Sequence, residues 1–145
     1  MRTLVCAAMI LAACAPGDRS RTSAAAGPAQ KYAGTWEGRS FRSASDTGTP
    51  WRMVTAVVQD GSLRGTMTYT SVNAPPVPIR TREVSDTVVV NELGPYHSIA
   101  ANADVVTVAT GKVRGDSLNG TFEMRPAAGG NAIMTGTFRS KRVAP

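Results

Sequence analysis

The side chains that usually perform covalent or acid–base chemistry are few in this chain, and their spacing does not bring them together. The only two cysteines, Cys6 and Cys14, fall within the first 14 residues, so the remainder has no thiol for a disulfide, a metal ion or a nucleophile. His97 is the only histidine. A hydrolytic triad needs a histidine held by a carboxylate beside a nucleophile, and a histidine metal centre needs several imidazoles. His97, in the segment Gly94-Pro95-Tyr96-His97, therefore reads as a surface loop residue; a catalytic role would require a carboxylate beside it in a cleft. Asp60, Asp86 and Asp116 each adjoin Gly or Ser in turn-like stretches, where a short carboxylate bonds to its own backbone. Glu37, Glu83, Glu92 and Glu123 read as single outward charges on strands, and no carboxylate pair follows from their spacing. No glycine loop opens a helix to cradle a phosphate. The expectation is a protein without enzymatic activity, metal or cofactor.

Cys14 has the one clear chemical setting. Met1-Arg2 gives a positive start, and Leu4 to Ala13 is an apolar stretch of about ten residues, too short to span a bilayer but suited to a signal-peptide core. The stretch ends in Leu11-Ala12-Ala13-Cys14, which resembles the bacterial lipobox at all four positions. The resemblance implies that residues 1–13 are a lipoprotein signal peptide and that Cys14 receives the lipid. Small residues at the cut admit the peptidase, and only a Cys can form the thioether. Cys6, preceded by Thr3-Leu4-Val5, lacks the small neighbour. Thirteen residues are short for a signal, which leaves an upstream start codon open. Acyl chains contribute about 0.8 kcal/mol per buried methylene, so two or three hold firmly where one is marginal. Ala15 in place of Asp implies passage to the outer membrane, with the protein on its periplasmic face.

Residues 14–30 comprise the lipidated cysteine and the stretch Ala15 to Gln30, which has no large apolar residue and reads as a flexible linker. The chain carries 16 Lys plus Arg against 10 Asp plus Glu, a formal charge of +6. Losing Arg2 with the signal leaves about +5 on the mature protein. These charges are scattered singly among Thr and Gly, without the patch that nucleic acid requires.

Residues 31–145 read as one all-β domain. One pattern (apolar, any, Gly, Thr, apolar) occurs four times, at Tyr32–Trp36, Leu63–Met67, Leu118–Phe122 and Met134–Phe138. With period 2 the large apolar residues and the Gly share the inner face and Thr faces out. An inward Gly lets a strand bend sharply, as a small closed barrel needs. Trp51 to Gln59 and Val105 to Arg114 each run into a Gly/Asp/Ser turn before the next strand, so both read as hairpins. Pro78 to Val84 and Thr87 to Leu93 flank Ser85-Asp86 as a third pair; Gly34 to Phe41 opens the domain and Asn131 to Arg142 closes it. About eight antiparallel strands in sequence order fit an up-and-down barrel, which leaves no exposed edge.

Gly34-Thr35-Trp36 at the head of the first strand, the meander and the basic last strand resemble the calycin group, which includes lipocalins and avidins. The resemblance covers about Tyr32 to Arg142 and implies that Trp36 packs at a closed end, with Arg139 or Arg142 over its indole. Asp60-Gly61-Ser62-Leu63-Arg64-Gly65-Thr66-Met67 is similar to an avidin hairpin. Avidins line their biotin pocket with several tryptophans, whereas this chain has only Trp36 and Trp51, so the likeness is architectural and biotin is not expected.

Trp51, Met67, Tyr69 and Met124, with Met53 and Tyr96, are the candidates to line a ligand cavity; the alternative is that they fill the barrel. Residues 71–78 and 94–104 read as the longest loops, flanking one mouth. The leading expectation is an envelope module, anchored to the membrane through Cys14, that binds a small lipophilic molecule. The second is a protein-interaction module with a filled core, such as an accessory subunit or a protease-inhibitor-like barrel.

Overall fold

Alternating side chains along every strand put one set of residues inside and the other in water, and closure follows from pairing each strand with its chain neighbours. A computed structural model describes residues 27–143. It has a short 3-10 helix (Pro28–Tyr32) and eight strands: β1 (Gly34–Phe41), β2 (Thr49–Val57), β3 (Leu63–Tyr69), β4 (Val77–Val84), β5 (Val89–Ser98), β6 (Ala103–Arg114), β7 (Ser117–Pro126) and β8 (Met134–Val143). The apolar segment of residues 4–13, Cys14 and most of the linker lie outside the described residues. Successive strands pair antiparallel and β1 pairs with β8, so the sheet is a closed eight-stranded up-and-down barrel.

Three of the four repeats keep the inward register read from sequence; in the first, Tyr32 belongs to the 3-10 helix and only Gly34 to Trp36 lie on β1. Leu63, Met67, Leu118 and Phe122 are buried inside, and Arg64, Asn119 and Thr121 are exposed. Their glycines sit where the barrel wall is tightest. A Cβ at Gly65 would collide with the carbonyl oxygen of Val54, and one at Gly120 with that of Thr110. Gly136 meets Phe41 in the same way, and Gly38, outside the repeats, meets Arg139.

The chain enters at one end of the barrel and closes it. The 3-10 helix lies across this end with Ala29 and Tyr32 buried, so the fold begins at Pro28, inside the stretch expected to be linker. Trp36 is fully buried and its indole N–H donates to Tyr32 O at 3.0 Å. The Arg142 guanidinium lies 4.2 Å from the centre of the Trp36 ring and donates to the carbonyls of Ala33 and Lys31. Arg139 does not share this place. It is three residues nearer the other end on the outward parity of β8, and it lies 5.8 Å from the Phe41 ring. Thr55 Oγ1, which donates to Tyr32 O at 2.9 Å, and Lys31, which pairs with Asp86 at 3.4 Å, tie the helix to β2 and to the β4–β5 turn.

Two bulges change parity, and each has a consequence the sequence pattern missed. On β4 the register shifts between Thr81 and Glu83, which turns Glu83 outward and Val84 toward the core, while Arg80 and Arg82, two residues apart, share the outward face beside Glu92 of β5. Glu92 is thus not a single solvated charge: it is 3% exposed, with Arg80 Nε donating to Oε1 at 2.7 Å and Arg82 pairing with the other oxygen. Glu37 and Glu123 are likewise paired, with Arg52 and Arg125. On β5 the register shifts between Leu93 and Tyr96. The extra residue is accommodated at Gly94, whose φ of +104° suits glycine. As a result β5 runs on to Ser98, and the stretch expected as a loop from Gly94 to Asp104 shrinks to the turn 99–102.

The closed end makes a stability prediction. Arg142→Ala removes a charged double donor and a cation over an indole, and should lower unfolding free energy by about 3 kcal/mol. The Tyr32 hydroxyl is buried and has no partner among the described residues, so Tyr32→Phe should be neutral or slightly stabilising. Urea unfolding of both variants measures the contrast.

Candidate functional site

Only one end of the barrel is plugged. The turns β2–β3, β4–β5 and β6–β7 lie at the closed end with the 3-10 helix, whereas residues 42–48, 70–76, 99–102 and 127–133 surround the opposite mouth. Between this mouth and the buried layer of Trp36, Tyr32 and Leu63 runs a cavity of about 570 Å³. The interior is therefore not filled, and the cavity falls in the roughly 300–1,000 Å³ range of small-molecule sites.

The register sets its layers. Trp51 faces Tyr69 across β2–β3 near the mouth, and Met53 faces Met67 one layer deeper. Met124 and Met134 pair across β7–β8 on the opposite wall. Phe138 meets the Trp51 ring edge-on, at 6.2 Å between centres. Val89 and Leu118 line the deep end. The four residues expected to touch a ligand, Trp51, Met67, Tyr69 and Met124, thus all line one cavity, together with Met53 and Tyr96.

Polar groups interrupt this apolar wall on one side. The bulge in β5 brings Tyr96 to the inner face, where its hydroxyl lies 3.0 Å from Thr107 Oγ1 and 3.5 Å from the hydroxyl of Tyr69. Nearer the closed end on the same strand, Asn91 is 7% exposed, and its Oδ1 accepts from Thr81 Oγ1 at 2.7 Å. That bond orients the amide and leaves its N–H groups without a protein acceptor among the described residues. The wall therefore presents hydroxyls and an amide, all uncharged. Burial raises the Tyr69 phenol well above the ordinary tyrosine range, and the nearby Tyr96 adds to the effect.

Asn91 and Thr107 were not expected as site residues. Both carry a signal in hindsight: Asn91 alternates with Val89 and Leu93, and Thr107 with Val105 and Ala109, so each is a polar residue on an apolar face. Phe122 and Phe138 also line the cavity; the repeat pattern placed them inside without assigning them to the site.

His97 does lie beside a carboxylate. Its Nδ1 is 3.1 Å from Asp104 Oδ1, the arrangement that would orient a general base. The pair sits at the lip of the mouth with side chains 60% and 74% exposed, and no hydroxyl bonds to the imidazole among the described residues. A Ser-His-Asp arrangement needs a nucleophile bonded to the imidazole, and although His97 borders the cavity, none is present among the described residues. Among the described residues, no three His, Cys, Asp or Glu side chains converge as a metal site would require. Arg42, which also borders the mouth, pairs with Asp46 at 3.3 Å.

No protein-family profile, curated protein or solved structure matches this chain significantly.

The buried phenol predicts an alkaline limit. The folded barrel holds Tyr69 protonated, so its contribution is complete below the ordinary phenol pKa of about 10 and is lost as pH rises above it. Tyr69→Phe should flatten that part of the stability profile, measured by denaturant unfolding at successive alkaline pH values.

Proposed function

We propose that this protein is an envelope lipoprotein, anchored through lipid on Cys14, whose barrel binds a small lipophilic molecule carrying an uncharged polar group. The observation that carries the reading is the one-ended cavity with its single polar wall. An apolar ligand entering it trades water for Trp, Met, Leu and Phe surface, worth about 25 cal/mol per Å² removed from water. The Asn91 amide and the hydroxyls of Tyr69, Tyr96 and Thr107 can hydrogen-bond a carbonyl or hydroxyl, and their need for a partner sets orientation. A charged headgroup has no counter-ion inside and stays at the mouth. The lipobox-like sequence at Cys14 places such a module beside a membrane, where lipophilic molecules concentrate.

The ligand-binding reading is favoured over a pure protein-interaction module by the cavity itself, since a module acting only through its exterior gains nothing from an empty interior. Catalysis is not part of the proposal, because the His97–Asp104 pair has no adjoining nucleophile.

An environment-sensitive apolar dye should bind with enhanced fluorescence and quench Trp51. Ala109→Trp places an indole across the cavity and should weaken dye binding at least about tenfold with little change in melting temperature. Native mass spectrometry of membrane-released protein should show a co-purifying apolar species. Clean apo spectra with no dye binding would overturn the ligand reading. For the anchor, metabolic labelling with a fatty-acid analogue should mark the native protein and not Cys14→Ser.

A further inference from the structure

The two ends of the barrel differ in surface chemistry. Each closed-end turn carries an aspartate: Asp60, Asp86 and Asp116. By contrast, the mouth loops 70–76, 99–102 and 127–133 contain no charged residue. Each instead exposes one large apolar side chain: Val72 at 43%, Ile99 at 66% and Ile133 at 50%. Beside these loops Arg42 pairs with Asp46, His97 with Asp104 and Arg125 with Glu123, while Arg39 donates to the carbonyls of Thr47 and Gly48 in the fourth mouth loop, 42–48. Three of the four mouth loops thus form an apolar-tipped arc that carries no charge.

We infer that this rim is a docking surface for a lipid bilayer, seating the mouth on the membrane so that a lipophilic ligand passes between acyl chains and barrel without crossing water. Three considerations select lipid as the occupant. Exposed apolar side chains on separate loops, spaced around an opening, match a fluid apolar phase, which has no fixed shape to complement. The three loops that carry these side chains hold no charged residue, so burying their tips dehydrates no ion. The rim is also continuous with the apolar cavity, since Val72 and Ile99 line its entrance.

Chain geometry permits this on the anchoring membrane. The described chain begins at the closed end, so the segment leading back to Cys14 joins the barrel on the side away from the mouth. Thirteen Cα-to-Cα steps from Cys14 to Gly27 can reach at most about 45 Å. Tilted strands of this length make a barrel about 25–30 Å tall. The linker can therefore pass the height of the barrel and let the mouth face the bilayer that holds the anchor.

This inference extends the ligand-binding reading, and its test is separate from that one. The chain from Ala15 onward contains every described element and lacks both the apolar N-terminal segment and Cys14. It should float with neutral phosphatidylcholine vesicles at millimolar lipid. Combined Val72→Ser, Ile99→Ser and Ile133→Ser substitutions should lower partitioning at least about tenfold. A control set at the exposed valines outside the mouth, Val54→Ser, Val57→Ser and Val58→Ser, should leave it unchanged. Ile133→Ser alone, whose side chain does not line the cavity, should lower partitioning in part while leaving dye affinity measured without vesicles at the native value. Failure of the native chain to float, equal loss in the control set, or binding only to anionic vesicles would overturn the rim as a lipid surface while leaving the dye result to decide the cavity.

Discussion

The barrel depends on places where one strand's backbone lies in the volume that a neighbour's side chain would otherwise fill. At Gly65, Gly120 and Gly136 the missing Cβ is occupied by a carbonyl oxygen from the next strand. Eight strands of ordinary pleat and twist make an open sheet; closing it at this size requires local coiling, which an inward Cβ opposes. The glycines therefore carry the curvature and the long side chains two residues away carry the packing. The repeats at Leu63–Met67, Leu118–Phe122 and Met134–Phe138 each supply both from five residues. The adjoining Thr, β-branched and outward, keeps the strand extended despite the freedom glycine introduces.

Curvature alone would give a symmetric tube, and the asymmetry comes from the termini. The 3-10 helix, Trp36 and Arg142 concentrate aromatic surface and hydrogen bonds at one end, joining residues 28–36 to the last strand. Arg142 suits this place because its fixed fork can serve two carbonyls while its flat face covers the indole. With the plug complete at one end, the strands can leave space at the other without losing the core. Binding and stability are thus separated along the axis: the aromatic plug lies away from the cavity, and the cavity lies away from the plug.

Much of this was legible in the sequence for one physical reason. Period-2 alternation is a local property, and a strand buried on one face displays it directly, so strand number, inward set and closure followed from the four repeats. The candidate lining at Trp51, Met67, Tyr69 and Met124 followed from the same parity, as did a cation over Trp36, once likeness to calycins suggested which end to examine. What escaped depends on register. The bulges at Arg82 and Gly94 insert one residue each, and no composition signal distinguishes a glycine in a bulge from one in a loop. Because of them Tyr96 faces in, Val84 turns toward the core, and a stretch read as loop is strand. The choice between Arg139 and Arg142 was decided by parity against β1, since only even-numbered positions of β8 face inward near its end.

The polar side of the cavity bears most directly on what it can select. A wholly apolar interior ranks ligands by size and oiliness alone, and a single methylene changes affinity only modestly. A buried amide whose oxygen is already used by Thr81 behaves differently, because its N–H groups lose water when an apolar ligand enters and regain nothing. A ligand with an acceptor at that depth avoids the penalty, and one without it bears the full cost. An ionised ligand also fails there, since hydroxyls and an amide compensate a buried charge poorly. A neutral, singly polar lipophile is thus the ligand class this lining would favour: the apolar wall would supply affinity, and Asn91, Tyr69, Tyr96 and Thr107 the discrimination.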